Sequence, residues 1–133
     1  MGTVGYLLDT HTFLWSVHED NTKLSSSVIS LFSAPDAPIY VSAASAYEVM
    51  NKYRIGKLSE FEYVAKNYLK ILNNFGAKDL FVNTHHAHFA GEFDWYHRDP
   101  FDRILAAQAY IDNLVLITND PVFKTLPWVQ LLW

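Results

Sequence analysis

His97-Arg98-Asp99-Pro100-Phe101-Asp102-Arg103 runs directly into Ile104-Leu105-Ala106-Ala107-Gln108-Ala109. The second half has strong helix formers with apolar residues on a helical period. The first half reads as its opening turn, with Asp99 as the cap and Pro100 at the first helical position. The helix runs to about Asp112-Asn113, and Leu114-Val115-Leu116-Ile117-Thr118 follows as the plainest strand in the chain. A helix feeding a short, continuously apolar strand is the signature of a parallel sheet buried on both faces. Two carboxylates and two arginines at the mouth of a core helix are more than capping requires.

The same alternation extends in both directions. Val4 to Leu8 is an apolar run that stops at Asp9-Thr10-His11-Thr12, before a helix beginning near Phe13. Ser25 to Phe32 has helical spacing and ends before the breaker Ala34-Pro35-Asp36-Ala37-Pro38. Ile39-Tyr40-Val41 is a second strand, and a helix from about Ala43 to Ile55 stops at Gly56. Ser59 is expected to cap a long helix through Leu72, with Phe61, Val64, Ala65, Tyr68, Leu69 and Leu72 as its apolar stripe. Leu80-Phe81-Val82 is a third strand and His86 to Gly91 a short helix; another short helix (Val122 to Thr125) and a last strand (Val129 to Leu132) close the chain. No hairpin signal joins two strands. The expected fold class is α/β: a three-layer α/β/α sandwich around a mostly parallel central sheet, one domain over residues 1–133.

Composition limits the function classes. The 133 residues are 50% hydrophobic and 16% aromatic, which excludes a disordered chain. There are no cysteines, so thiolate metal sites, disulfides and cysteine nucleophiles are excluded. No apolar run reaches the roughly 18 residues of a membrane span, and Met1 to Tyr6 lacks the basic flank of a signal peptide. A cytoplasmic protein with no membrane partner is expected. The net charge of −4 argues against a general nucleic-acid binder, although a bound divalent ion reverses the local field.

Ligands of parallel α/β sheets bind at the carboxyl ends of the strands. The acids there, or on the following helices, are Asp9, Glu48, Asp99, Asp102 and Asp120. Each has a structural reading. Asp9, Asp99 and Asp120 each suit a helix cap, and Asp102 lies at the partner position of the Asp99 box. Ser45-Ala46-Tyr47-Glu48 matches a capping box with Glu48 reaching back. The stripe Ala46, Val49, Met50 and Tyr53 is expected to face the core, leaving Glu48 on the far side within reach of Lys52. Neighbouring strand ends lie roughly 5 Å apart, so acids at several of them crowd together and repel. Mg²⁺ or Mn²⁺, which prefers carboxylates and water, resolves that repulsion and supports attack of water on a phosphodiester.

Among other polar residues, His85-His86-Ala87-His88 lacks a fourth zinc ligand and reads as a strand-to-helix turn. His97 and His11 border the acids, each with a surface role as the alternative. Lys52, Arg54 and Lys57 form a basic patch at a helix end, where solvation and contact with a nucleic-acid backbone are both open. Arg98 and Arg103 are placed to neutralise the acids or grip a phosphate.

With these residues assembled, the chain resembles PIN-domain proteins, specifically the VapC-type toxins of toxin–antitoxin pairs. The resemblance rests on Tyr6 to His11, Ser42 to Leu58 around Glu48, His97 to Arg103, and Ile117-Thr118-Asn119-Asp120. It implies that Asp9, Glu48, Asp102 and Asp120 are catalytic metal-binding acids, with Asp99 auxiliary and Thr118 supporting the metal waters. It also implies Mg²⁺- or Mn²⁺-dependent endoribonuclease activity on an RNA substrate, a cognate antitoxin and a homodimer. Arg98, Arg103, Lys52 and Arg54 are the expected RNA contacts, and Phe13, Trp15, Tyr47 and Tyr53 the expected antitoxin groove. Two rivals remain at this level. One is a Mg²⁺-dependent phosphatase, disfavoured because Asp9-Thr10-His11 lacks the Asp-x-Asp such enzymes want. The other is a non-enzymatic binding module whose acids are only caps.

Overall fold

A computed structural model describes residues 3–18 and 22–133; Met1 and Gly2 of the N-terminal stretch lie outside the described residues. Its centre is a five-stranded sheet in the order β3-β2-β1-β4-β5, with every strand pair parallel. The strands are β1 (Gly5–Leu8), β2 (Ile39–Ser42), β3 (Lys78–Leu80), β4 (Leu114–Ile117) and β5 (Leu131–Leu132). The helices are α1 (Thr10–Val17), α2 (Ser26–Phe32), α3 (Ala43–Arg54), α4 (Glu62–Lys66), α5 (Tyr68–Phe75), α6 (Thr84–Glu92) and α7 (Pro100–Ile111). Two 3₁₀ turns, Ser59–Phe61 and Pro121–Thr125, complete the described elements.

Successive side chains of a strand point to opposite faces, and this sheet uses both. Leu8, Val41 and Ile117 pack with Phe13, Leu14, Val28, Val49, Val64 and Tyr68 in one core. Leu7, Leu114 and Leu116 pack with Leu105, Ala106, Ala109 and Phe123 in the other. The three-layer reading therefore holds, and the continuous apolar runs of β1 and β4 follow from burial on both sides. The chain lays β2 and β3 on one side of β1, then β4 and β5 on the other. That reversal leaves a crevice at the carboxyl ends of β1 and β4. No helix among the described residues is long and apolar enough to cross a membrane.

Several expected boundaries move. The third strand is Lys78–Leu80 rather than Leu80 to Val82, pairing Tyr40 with Lys78 and Ser42 with Leu80. Phe81 is 71% exposed: this is an edge strand, where charged residues are favoured and an apolar run is a poor guide. The long helix expected from Ser59 is a 3₁₀ turn and two helices separated at Asn67, whose φ of −122° is not helical. Ser59 caps nothing, since that turn lacks a side-chain cap, and Leu69 is 79% exposed rather than part of the core stripe. The last strand is limited to Leu131–Leu132, although Gln130 O already accepts from Leu116 N. The Gly56 helix stop holds, and Gly76 ends α5 in the same way, at φ values of +83° and +84° that a side chain would strain.

Leu116 is fully buried in β4. Leu116→Ala is expected to lower unfolding free energy by about 2–5 kcal/mol, read as a reduced urea midpoint with an unchanged slope.

Candidate functional site

Each acid reaches the crevice by a local device. Asp9 follows β1 and caps α1, its Oδ1 accepting from Thr12 N at 2.8 Å. The ladder continues one step past the strands, with Asp9 N donating to Ile117 O at 3.0 Å, so Asp9 is fixed beside Thr118. The Thr118 hydroxyl donates to Asp9 Oδ2 and accepts from Asp120 N, linking the ends of β1 and β4. Asp120 caps the turn after β4 through Val122 N and remains exposed. Asp99 caps α7, its Oδ1 accepting from Phe101 N and Asp102 N at 2.9 and 3.1 Å. Asp102, in that first turn, meets His97 Nε2 at 2.7 Å through Oδ2.

Glu48 departs most from expectation. Helix α3 is capped by Ser42, whose hydroxyl accepts from Ala44 N, so Ser45 lies inside the helix and no Ser45–Glu48 box forms. Glu48 is only 4% exposed, whereas Met50 of the expected core stripe is 43% exposed. The buried face of α3 is thus Ala44, Ser45, Glu48 and Val49. Glu48 Oε1 accepts from Thr10 Oγ1 at 2.5 Å, and Lys52 Nζ donates to Oε2. Because the Thr10 proton points to Glu48, the Ser45 hydroxyl at 2.9 Å donates to Thr10. Thr10 and Ser45 escaped sequence reading because small hydroxyls near helix starts pass as caps.

Asp9, Glu48, Asp99, Asp102 and Asp120, with Lys52, His97, His11, Thr10, Trp15 and Asn119, line one cleft of about 500 Å³. All five acids expected at the site therefore share one cavity. Among the described residues no three acids and histidines stand together as a ready-made ion site, since Glu48 is turned to Thr10 and Lys52, and Asp102 to His97.

Among the described residues, the charge balance of the cleft is uneven, with five carboxylates against one lysine. Burial pushes the Asp102 carboxyl up to about 6; His97 opposes this, while the charges of Asp99 and Glu48 add to it. Burial also raises Asp9, against hydrogen bonds from Thr118 and Thr12. Hard oxygen donors carrying more negative charge than the protein neutralises fit a divalent cation such as Mg²⁺ or Mn²⁺.

The basic residues divide differently from expectation. Of the four proposed RNA contacts, only Lys52 lines the acidic cleft. Arg103 donates to Ala90 O, Trp95 O, His97 O and Phe93 O, with its guanidinium 4.3 Å from the Phe93 ring. It thus pins the loop carrying His97 instead of facing a phosphate. Arg98 is exposed beside a separate small cleft with Ala87, Gly91 and Pro100. Arg54 is exposed and donates to Asn51 Oδ1 at 2.6 Å. Thr118, expected to support metal waters, gives its proton to Asp9. His97, with a surface role as its alternative, is half-buried against Trp95 at 4.9 Å and bonded to Asp102. His86 is buried, closing a capping box with Asn83 and reaching Asp112 Oδ2 at 3.1 Å.

In the expected partner groove, Phe13 is fully buried against Tyr68 and Phe75 and presents nothing outward. Trp15 is half-buried and packs on Trp133. Tyr47 and Tyr53 do share a groove of about 720 Å³ along α3, with Ala46, Met50, Asn51 and Arg54.

The PIN domain family profile matches residues 6–129. The fold is similar to a chain of VapBC2 from Rickettsia felis bound to a promoter DNA fragment, with TM-score 0.70, 17% identity and coverage of 97% of this chain and 98% of that one. DNA-bound VapBC from Salmonella typhimurium matches at TM-score 0.68 and 16% identity, covering 98% of both chains. FitAcB from Neisseria gonorrhoeae matches at TM-score 0.66 and 18% identity, covering 96% of both. No curated protein sequence gives a significant match.

The raised Asp102 carboxyl has a measurable consequence in metal-free protein. Its proton is held more tightly in the folded state, so this stabilisation is complete below about pH 4 and is lost as pH rises through about 6. The loss is expected to reach about 3 kcal/mol by pH 7. Urea unfolding with chelator at pH 4.5 and 7 should show about 2 kcal/mol of it, and Asp102→Asn should shrink the difference.

Proposed function

This chain belongs to the PIN-domain family, and on that basis we propose that it is a Mg²⁺- or Mn²⁺-dependent endoribonuclease, the VapC-type toxin of a toxin–antitoxin pair. The observation carrying this reading is the cleft at the ends of β1 and β4, where five carboxylates face a single lysine.

In this proposal Asp9, Asp102 and Asp120 hold the principal ion, and Asp99 acts as an auxiliary. A bound divalent ion supplies a polarising charge at the scissile phosphate and a water of lowered pKa. The protein supplies the positioning. Thr118 and Thr12 restrain Asp9, whose two oxygens would otherwise turn freely. His97 holds Asp102 Oδ2, and no hydrogen bond to Oδ1 is found among the described residues. Glu48, steadied by Thr10 and Lys52, lines the same cleft, where a carboxylate can orient the attacking water or a second ion. Among the described residues, Lys52 is the lysine of the cleft placed to meet an RNA phosphate; Arg54 and Arg98 lie on surfaces beyond it.

The remaining parts of the reading follow the same family assignment. The protein acts in the cytoplasm as a homodimer, with residues 1–133 forming one PIN-like domain. A cognate antitoxin covers the groove along α3, where Tyr47 is 66% and Met50 43% exposed. The structural neighbours support a partner of this kind, since VapBC from Rickettsia felis and Salmonella typhimurium share the fold.

Purified protein is expected to cut RNA with Mg²⁺ or Mn²⁺, to stop with chelator, and to leave a generic phosphomonoester intact. Asp102→Asn should reduce cleavage at least 100-fold, the order expected when a charge-stabilising group is lost, while circular dichroism stays unchanged. Full activity in that folded variant with saturating metal would remove Asp102 from the mechanism; turnover of the phosphomonoester instead of RNA would favour a phosphatase.

A further inference from the structure

The acidic cleft adjoins a second cavity at the edge of the sheet. Asn119 and Asp120, just past β4, line both the cleft and a neighbouring space of about 390 Å³ whose other walls include Lys124, Leu132 and Trp133. β5 is the outermost strand on this side, so the two cavities together form a path from the acids to the sheet edge.

We propose that the second cavity is a subsite for single-stranded RNA, holding the nucleotide beside the scissile phosphate with its base on Trp133 and a phosphate on Lys124. This rests on the proposed ribonuclease activity and extends it to the path of the substrate and the residues that grip it beyond the acids.

Three observations converge on this cavity. The first is a strip of rings. Trp15 lines the acidic cleft and Trp133 the second cavity, and the two indoles meet edge to face with centroids 6.0 Å apart. His11, exposed and also in the cleft, lies 5.7 Å from Trp15. Both indoles pack on the core around Leu8, Phe13 and Leu14, yet each stays half-buried and lines a cavity. A ring so placed suits an unpaired base, which has a π-face to stack, whereas a duplex keeps its bases stacked on one another.

The second observation is charge. Lys124 is exposed, and among the described residues it forms no ion pair. Lys52, within the cleft, shares its charge with Glu48. Lys124 therefore supplies the second cavity with an ammonium for a phosphate, and Lys23 Nζ lies 5.6 Å from the Trp15 ring. The third is Asn119. Its neighbours Thr118 and Asp120 are bonded to Asp9 and Val122 N. Asn119 itself is exposed where the cavities meet, and its amide carries a donor and an acceptor for a base edge.

The test measures binding of a short fluorescein-labelled single-stranded RNA of mixed sequence by anisotropy, with Ca²⁺ replacing Mg²⁺ to slow cleavage. Trp133→Leu is expected to weaken binding about tenfold or more, and Trp133→Phe to restore most of it. Lys124→Gln should weaken binding and lower the slope of log affinity against log salt by about 0.7, the value for one phosphate contact on a single strand. Annealing the RNA to its complement should abolish the effect of Trp133→Leu. Mn²⁺ affinity by calorimetry should be unchanged in every variant, which separates loss of the subsite from damage to the acids. Folded Trp133→Leu and Lys124→Gln variants that bind the RNA as wild type does would overturn the inference and leave the proposed activity standing. Equal binding of duplex and single strand would overturn it as well. Should Trp133→Leu fail to fold or lose Mn²⁺, the exposed Lys124→Gln position decides alone. Wild type that neither binds nor cuts RNA would instead overturn the proposed function, and this inference with it.

Discussion

Five carboxylates round one cleft repel one another, and the rest of the site can be understood as the protein's partial answer to that repulsion. Lys52 offsets Glu48. His97 takes one oxygen of Asp102, and Thr118 takes one of Asp9. These contacts restrain the side chains but leave the excess charge in place, so Asp102 is pushed up to about 6, through burial and the neighbouring Asp99 and Glu48. A fold tolerates such a cluster when it gains a cation that the folded chain alone can bind.

The positions of the acids come from ordinary secondary-structure chemistry. Asp9, Asp99 and Asp120 each cap the element that follows them, accepting backbone N–H groups. The partial positive charge of those helix starts favours ionised carboxylates, so capping and ion binding are compatible demands on the same residues. Parallel pairing then brings the caps together. Gly5 to Leu8 lies in register with Leu114 to Ile117, which places Asp9 against Thr118 and, through it, Asp120. Arg103 extends the support outward, since three backbone carbonyls of the loop before Asp99 and one of α6 converge on its guanidinium.

The layers and the central strands were legible because burial on both faces writes a continuous apolar run into β1 and β4. The edge was less legible. Strand β3 is Lys-Asp-Leu with both charged residues exposed, and its neighbour Phe81 only mimics a buried strand. The five acids were legible from their places at strand ends and helix starts. Their partners were not, because a contact between Thr10 and Glu48, or between Asp9 and Thr118, spans 38 or 109 residues and leaves no periodic trace. Glu48 was misplaced for a related reason. Helical periodicity assigns the apolar face to the core, yet here the buried face of α3 carries a charged residue because a polar cleft, rather than apolar packing, lies opposite. Arg103 was read as a phosphate contact because its neighbours in sequence are acids, whereas its side chain reaches back to carbonyls 6 to 13 residues earlier.

The central claim is that the charge gathered between β1, β4 and α7 holds a divalent ion. Its most direct test is an anomalous difference map from crystals of the intact protein grown with Mn²⁺. The account predicts strong anomalous density in the cleft, within coordination distance of Asp9, Asp102 and Asp120. A cleft without anomalous density at saturating Mn²⁺, in a protein whose fold is otherwise as described, would contradict it.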